Sequence, residues 1–161
     1  MREPKATAPR MPAGYGAPAD GSGGELLPWR WAVERLEAAH NYWVCTTRAD
    51  GRPHAAPVWG LWLDDAFWFS TGRTSAKARN LARNAAVVVH LESGDETVIL
   101  EGEVDEATGG LGAYADAYEA KYGYRPDPLD DTNATYLLRP RTAQTWTERG
   151  FPRDATRWVF E

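Results

Sequence analysis

Residues 42–104 read YWVCTTRADGRPHAAPVWGLWLDDAFWFSTGRTSAKARNLARNAAVVVHLESGDETVILEGEV. Within this stretch and just beyond it, residues 42–47, 54–63, 66–71, 86–92 and 97–105 are rich in β-branched and aromatic residues and bounded by turn residues, so each reads as a strand. Asp50-Gly51 and Asp64-Asp65 occupy hairpin positions, and Ser93-Gly94-Asp95 makes a slightly longer link. Links this short permit only antiparallel pairing, except between the third and fourth runs, where a helix intervenes. The spacing predicts a mainly β, α+β domain: a barrel, or a sheet curled nearly closed, with a few flanking helices. Pro57 and Gly60 inside the second run predict a bulge, an edge or a bend.

The intervening helix follows the strand that ends in Ser70-Thr71. Thr74 or Ser75 supplies an N-cap, Ala78, Leu81 and Ala82 fall on one face, and Asn84 ends the helix. Arg73, Lys77 and Asn80 share a side, because spacings of three and four bring helical side chains together. A helix N-terminus offers free N–H groups and partial positive charge. With Arg73, Lys77 and the hydroxyls of Ser70, Thr71, Thr74 and Ser75 around it, this junction reads as an anion site suited to phosphate. The same residues also describe a solvated basic helix face with ordinary capping hydroxyls.

Composition excludes several function classes. The chain has 161 residues, 43% hydrophobic and 25% charged, enough for one domain with its own core. A net charge of −5 argues against a nucleic-acid binder, which needs a basic surface. Cys45 is the single cysteine, so an internal disulfide and a cysteine metal cluster are both excluded, and a cytoplasmic setting is expected. No run suits a membrane span or a signal peptide. His40, His54 and His90 are not at metal-ligand spacing, and no Gly-x-Ser-x-Gly stretch is present, so neither a metal enzyme nor a hydrolase is expected.

Outside the central stretch, residues 1–24 are dominated by Ala, Pro and Gly and read as a disordered tail, leaving 25–161 as a single domain. Residues 28–40 predict a helix opened by Pro28, with Trp29, Val33, Leu36 and either Trp31 or Ala32 buried. Residues 107–122 predict a second helix whose first turn is weakened by Gly109-Gly110. Residues 135–139 and 142–147 read as closing strands separated by Pro140, and 156–160 as the last strand.

The ordered set of a Trp-containing helix, Ala49-Asp50-Gly51-Arg52-Pro53, Pro57-Val58-Trp59, Phe69-Ser70-Thr71, Lys77-Ala78-Arg79-Asn80-Leu81 and Val87-Val88-Val89 resembles the pyridoxamine 5′-phosphate oxidase-like split β-barrel superfamily. Within it, the likeness is nearest to the actinobacterial flavin- and deazaflavin-dependent oxidoreductases. It covers residues 29–105 and reappears in Ala155-Thr156-Arg157-Trp158. The resemblance implies a split barrel of about six to eight antiparallel strands. It further implies a homodimer holding coenzyme F420, or alternatively FMN, in a groove between subunits. Ser70, Thr71, Lys77, Arg79 and Asn80 would then meet the phosphate or acidic tail, and Val58, Trp59 and Gly60 would flank the ring. Arg73 rests on the anion-site reasoning alone, and helical geometry turns Arg79 away from Lys77. The extended basic set Arg73, Lys77 and Arg79 favours the polyanionic tail of F420 over FMN. Trp146 and Arg157 are expected on the pocket wall, and Lys121, Tyr122, Tyr124 and Arg125 at a substrate lip. The activity implied is hydride transfer to or from a small organic substrate, with the cofactor supplying the redox chemistry and no catalytic side chain assigned. The alternatives are a non-catalytic carrier of flavin, F420 or haem, with His54 or His90 as the axial ligand, and a cofactor-free barrel used for association.

Overall fold

The computed structural model describes residues 3–12, 15 and 24–161. In chain order its elements are β1 (Lys5–Thr7), α1 (Trp29–Ala38), β2 (Tyr42–Thr47), β3 (Pro53–Val58), β4 (Leu61–Leu63) and β5 (Ala66–Gly72). They continue with α2 (Ala76–Leu81), β6 (Ala86–Leu91), β7 (Glu96–Glu106), α3 (Leu111–Tyr122), β8 (Asn133–Thr147) and β9 (Thr156–Val159). All strand pairings are antiparallel, in the order β1-β9-β8-β7-β6-β2-β3, with β5 added to the first half of β8 and β4 to β5. This is the split barrel expected, with its flanking helices.

Local differences from the sequence expectation have identifiable causes. The run 54–63 breaks into β3 and β4 at Trp59-Gly60. A Cβ on Gly60 would lie 2.4 Å from the Phe67 ring and 2.8 Å from the Trp68 carbonyl, so only glycine lets the chain cross β5 this closely. Pro57 costs no ladder bond there, because β3 ends the sheet. Conversely, the two closing strands are one continuous β8. Its register against β7 shifts between Glu101 and Gly102, placing Pro140 opposite Gly102 at the point where β8 changes its second partner from β5 to β9. The expected tail is structured at Lys5–Thr7, where β1 pairs with Val159, Trp158 and Arg157 on the otherwise open edge of β9. The rest of that expectation falls partly on residues 1–2, 13–14 and 16–23, outside the described residues.

The barrel core gathers Tyr42, Val44, Phe67, Phe69, Val89, Leu100 and Leu138, and α1 plugs it with Trp29, Ala32 and Leu36. Spacings of three and four put those three residues on one helical stripe. Helix α3 begins at Leu111 rather than 107, because Gly110 takes a left-handed φ of 74° at its N-cap. It covers the outer side of β5 through Tyr114, which packs with Leu61, Ala66, Trp68 and Leu137. β5 is therefore covered on both faces, which is why its Ala66-Phe67-Trp68-Phe69 segment is an unbroken apolar run.

Candidate functional site

Alternation along β5 governs which groups meet. Phe67, Phe69 and Thr71 point to the barrel side, while Ala66, Trp68 and Ser70 point toward α3. Thr71 Oγ1 donates to Ser75 Oγ at 3.0 Å, and Ser75 Oγ caps α2 by accepting from the Ala78 N–H at 3.1 Å. Ser70 turns the other way. Its Oγ donates to Tyr114 Oη at 3.1 Å and is bonded to Thr135 Oγ1 at 2.7 Å. The single notch expected from the sequence is thus divided, and Ser70 does not belong to the Lys77 side.

Arg73 leaves the notch as well. Its guanidinium donates to Glu106 at 2.6 Å and to the Asp131 carbonyl at 2.8 Å, both on the Ser70 side. Asn80 is buried, and its Nδ2 donates to Thr46 Oγ1 at 2.9 Å, tying α2 to β2. Arg79 is exposed and folds back to donate to the Thr74 carbonyl. With only six residues, α2 is also a weaker source of end charge than a full-length helix.

What remains on the barrel side is a small cationic notch. Lys77 is half-buried, burial holds its amine below the ordinary lysine range, and no carboxylate among the described residues lies within ion-pair distance. The His54 imidazole lies beside it and is pulled below its ordinary value, first by burial and then by the charges of Arg48 and Lys77. Its Nδ1 is 3.4 Å from Thr46 Oγ1. Arg48 and the proximity of His54 were not foreseen. They arise from packing the β2–β3 hairpin against α2, a contact between segments distant in sequence.

From His54, β3 leads to the Trp59 corner, on the order of 15 Å away. Trp59 is 43% exposed, and its ring stacks parallel to Tyr122 with centroids 4.7 Å apart. Val58 packs against the core, and Gly60 is buried with both backbone groups engaged: its N–H donates to Tyr122 Oη at 3.0 Å and its carbonyl accepts from Lys121 Nζ at 3.3 Å. Lys121 also donates to Tyr42 Oη at 2.8 Å, and burial pulls its amine down to about 8 against the opposing charge of Glu37. Lys121 and Tyr122 therefore anchor this corner rather than form a free lip. Arg125 pairs with Asp116 on α3, and Tyr124 stands exposed beside Tyr118.

Trp146 and Arg157, expected on the pocket wall, lie elsewhere in the chain. Trp146 packs at a tilt against Phe151, its ring 5.9 Å away, and a path of roughly 36 Å along β8 separates it from Thr135. Arg157 is an exposed residue of β9 set between Thr7 and Gln144. Among the described residues, neither has a ring contact or hydrogen bond to Lys77 or Trp59.

The fold and the notch define an antiparallel split barrel with a half-buried lysine, without a carboxylate partner among the described residues, at a strand-to-helix junction. The family model described as pyridoxamine 5′-phosphate oxidase matches residues 31–147, and the chain belongs to this family. Among solved structures, an F420 reductase shares 23% identity at a TM-score of 0.57, covering 68% of this chain and 93% of that one. An FMN-binding, pyridoxamine 5′-phosphate oxidase-related protein from Nostoc punctiforme shares 20% at 0.57, covering 86% and 93%. A haem-binding protein from Mycobacterium smegmatis shares 20% at 0.61, covering 81% and 59%. At these identities the likeness is one of fold. No curated protein matches the chain. None of the described helices is long and apolar enough to cross a membrane.

Proposed function

We propose that this chain binds coenzyme F420, with FMN as the competing cofactor, and acts as an oxidoreductase on a small organic substrate. The observation that carries the reading is Lys77: half-buried, just past the Ser75 cap that accepts from Thr71, near enough to His54 to lower its imidazole, and lacking a carboxylate partner among the described residues. A buried ammonium without a counter-charge is costly, and an anionic ligand removes that cost. Arg48 and Arg79 are exposed, without ion-pair partners among the described residues, and supply further charge for an acidic tail; Arg73, paired with Glu106, does not.

A ring-and-chain coenzyme would be long enough to reach from this notch to the Trp59 corner, whereas inorganic phosphate would not. Trp59 offers the ring an exposed aromatic surface, backed by Tyr122. The coenzyme, when bound, supplies the two-electron chemistry. Lys77 and the hydroxyls would hold its anionic end, and the Trp59–Tyr122 stack would orient its ring and shed water.

A homodimer is part of the same proposal. The outer face of β2, β3 and β6 presents Trp43, Cys45, Ala55, Pro57, Val88 and His90, half-buried or exposed, on the side opposite the core residues Tyr42, Val44 and Val89. A second copy seated there would close a groove over β3. Light scattering with size separation checks this, a monomeric mass being the contrary result.

Side-by-side titration with FMN and F420, read by ring absorbance and fluorescence, tests the coenzyme. Saturable binding of either supports the reading. A Soret band with haem and no response to either flavin would replace it with the carrier reading. Turnover of the reduced coenzyme with an added acceptor separates enzyme from carrier.

A further inference from the structure

On the α3 side of β5 lies a cavity of about 460 Å³, within the range of small-molecule sites. Its floor is the hydroxyl chain Tyr114–Ser70–Thr135. Ser70 has one proton, and Tyr114 Oη accepts it, so Thr135 must donate in the 2.7 Å bond to Ser70. The Tyr114 hydroxyl proton is then left with no acceptor among the described residues, although Tyr114 is only 2% exposed. Buried hydroxyls rarely leave a donor unused, so the Tyr114 proton is available to an acceptor that enters the cavity. Burial raises the hydroxyl of Tyr114 well above the ordinary tyrosine range and that of Tyr118 to about 12, so both keep their protons at neutral pH.

The walls and charges narrow the occupant. Tyr118 and Leu111 form apolar sides, and the lining also includes Leu129, 89% exposed, and Tyr124, 61% exposed with its ring edge-on to Tyr118. Four carboxylates, Glu106, Asp127, Asp130 and Asp131, line the cavity against the single cation Arg73, itself paired with Glu106. That balance repels an anion. We propose that this cavity is a second ligand site, separate from the Lys77 notch, which takes an uncharged or cationic aromatic compound whose carbonyl oxygen accepts the hydrogen bond of Tyr114.

The test is isothermal calorimetry on the full chain with 2-acetonaphthone, which is neutral and carries a carbonyl, and with 2-naphthoate, which has the same ring and a negative charge. Wild type should bind 2-acetonaphthone saturably and 2-naphthoate more weakly. Tyr114→Phe should weaken 2-acetonaphthone by about three- to tenfold, the value of one neutral hydrogen bond. Ala107→Trp, at a half-buried position on the cavity wall, should abolish binding and serves if Tyr114→Phe melts early. Both variants should bind FMN or F420 as wild type does. No saturable binding of 2-acetonaphthone, equal affinity for 2-naphthoate, or an affinity untouched by both substitutions would overturn the site, leaving water as the Tyr114 acceptor. Failure of FMN and F420 to bind any of the proteins would sink the coenzyme reading and leave this cavity standing.

Discussion

Ser70 and Thr71 are consecutive residues on β5, yet they line two regions of opposite character. On the Thr71 side stand Lys77, His54 and Arg48, with no carboxylate in ion-pair contact with the two cations among the described residues. On the Ser70 side, carboxylates outnumber the one arginine, and a chain of hydroxyls forms the floor. One strand, covered on both faces, thereby keeps an anion-attracting notch apart from an anion-repelling cavity. The lesson is that charges close in sequence act together only if the pleat puts them on the same side.

The largest expected break in this comparison comes from Lys77→Ala. A charge-assisted hydrogen bond contributes about 1.5–3 kcal/mol, so coenzyme affinity should fall by about 10- to 100-fold while thermal stability holds or rises. Binding of 2-acetonaphthone on the other face should not change. Equal losses in the two titrations would show that the regions are not separate.

Gly60→Ala should damage both regions together. The new Cβ would press on Phe67, which is fully buried, and on the Trp68 backbone of the shared strand. Overpacking of this kind costs about 1–3 kcal/mol, visible as a lower denaturant midpoint, with weaker binding on both faces. An unchanged midpoint would mean that β4 and β5 separate easily at the Trp59 corner.

Ser75→Ala removes the α2 cap and the partner of Thr71, at a cost of about 1 kcal/mol in stability. Its effect on coenzyme binding should be smaller than that of Lys77→Ala, because charge rather than the helix end supplies most of the attraction. A larger loss from Ser75→Ala would reverse that ranking.

The smallest effect concerns Lys121, which anchors the Trp59 corner. Its amine is held near 8, below the ordinary lysine value, so the unfolded chain binds more protons between the two values. Stability should therefore rise with pH from about 8 toward 10, as the cost of a partly buried charge is relieved. The gap in thermal midpoint between wild type and Lys121→Met, followed across that window, isolates the effect. A gap independent of pH would mean that Lys121 is solvated.

Much of the barrel was legible in the sequence. The limits of β2 and β6, the Asp64-Asp65 hairpin with both residues at positive φ, and the Ser75 cap follow from patterns of a few residues. Other features depend on distant partners. Pro140 reads as a strand break until Gly102 stands opposite it, and Lys5–Thr7 carries no strand pattern because the edge of β9 provides its template. The site divides in the same way. Lys77 and Thr71 were recoverable from local spacing, and period-two alternation separates Ser70 from Thr71 before any coordinates are known. Neither the pairing of Arg73 with Glu106 nor the approach of His54 to Lys77 has a local signature, because each joins segments more than twenty residues apart.

The central claim is a cationic notch at Lys77 that grips the anionic end of a flavin-type coenzyme, independently of the cavity under α3. Parallel titration of wild type, Lys77→Ala and Tyr114→Phe with F420 and FMN tests it most directly. Saturable binding to wild type and Tyr114→Phe with equal affinity, and at least about tenfold weaker binding to Lys77→Ala, is the expected result. The same affinity in wild type and Lys77→Ala would contradict it.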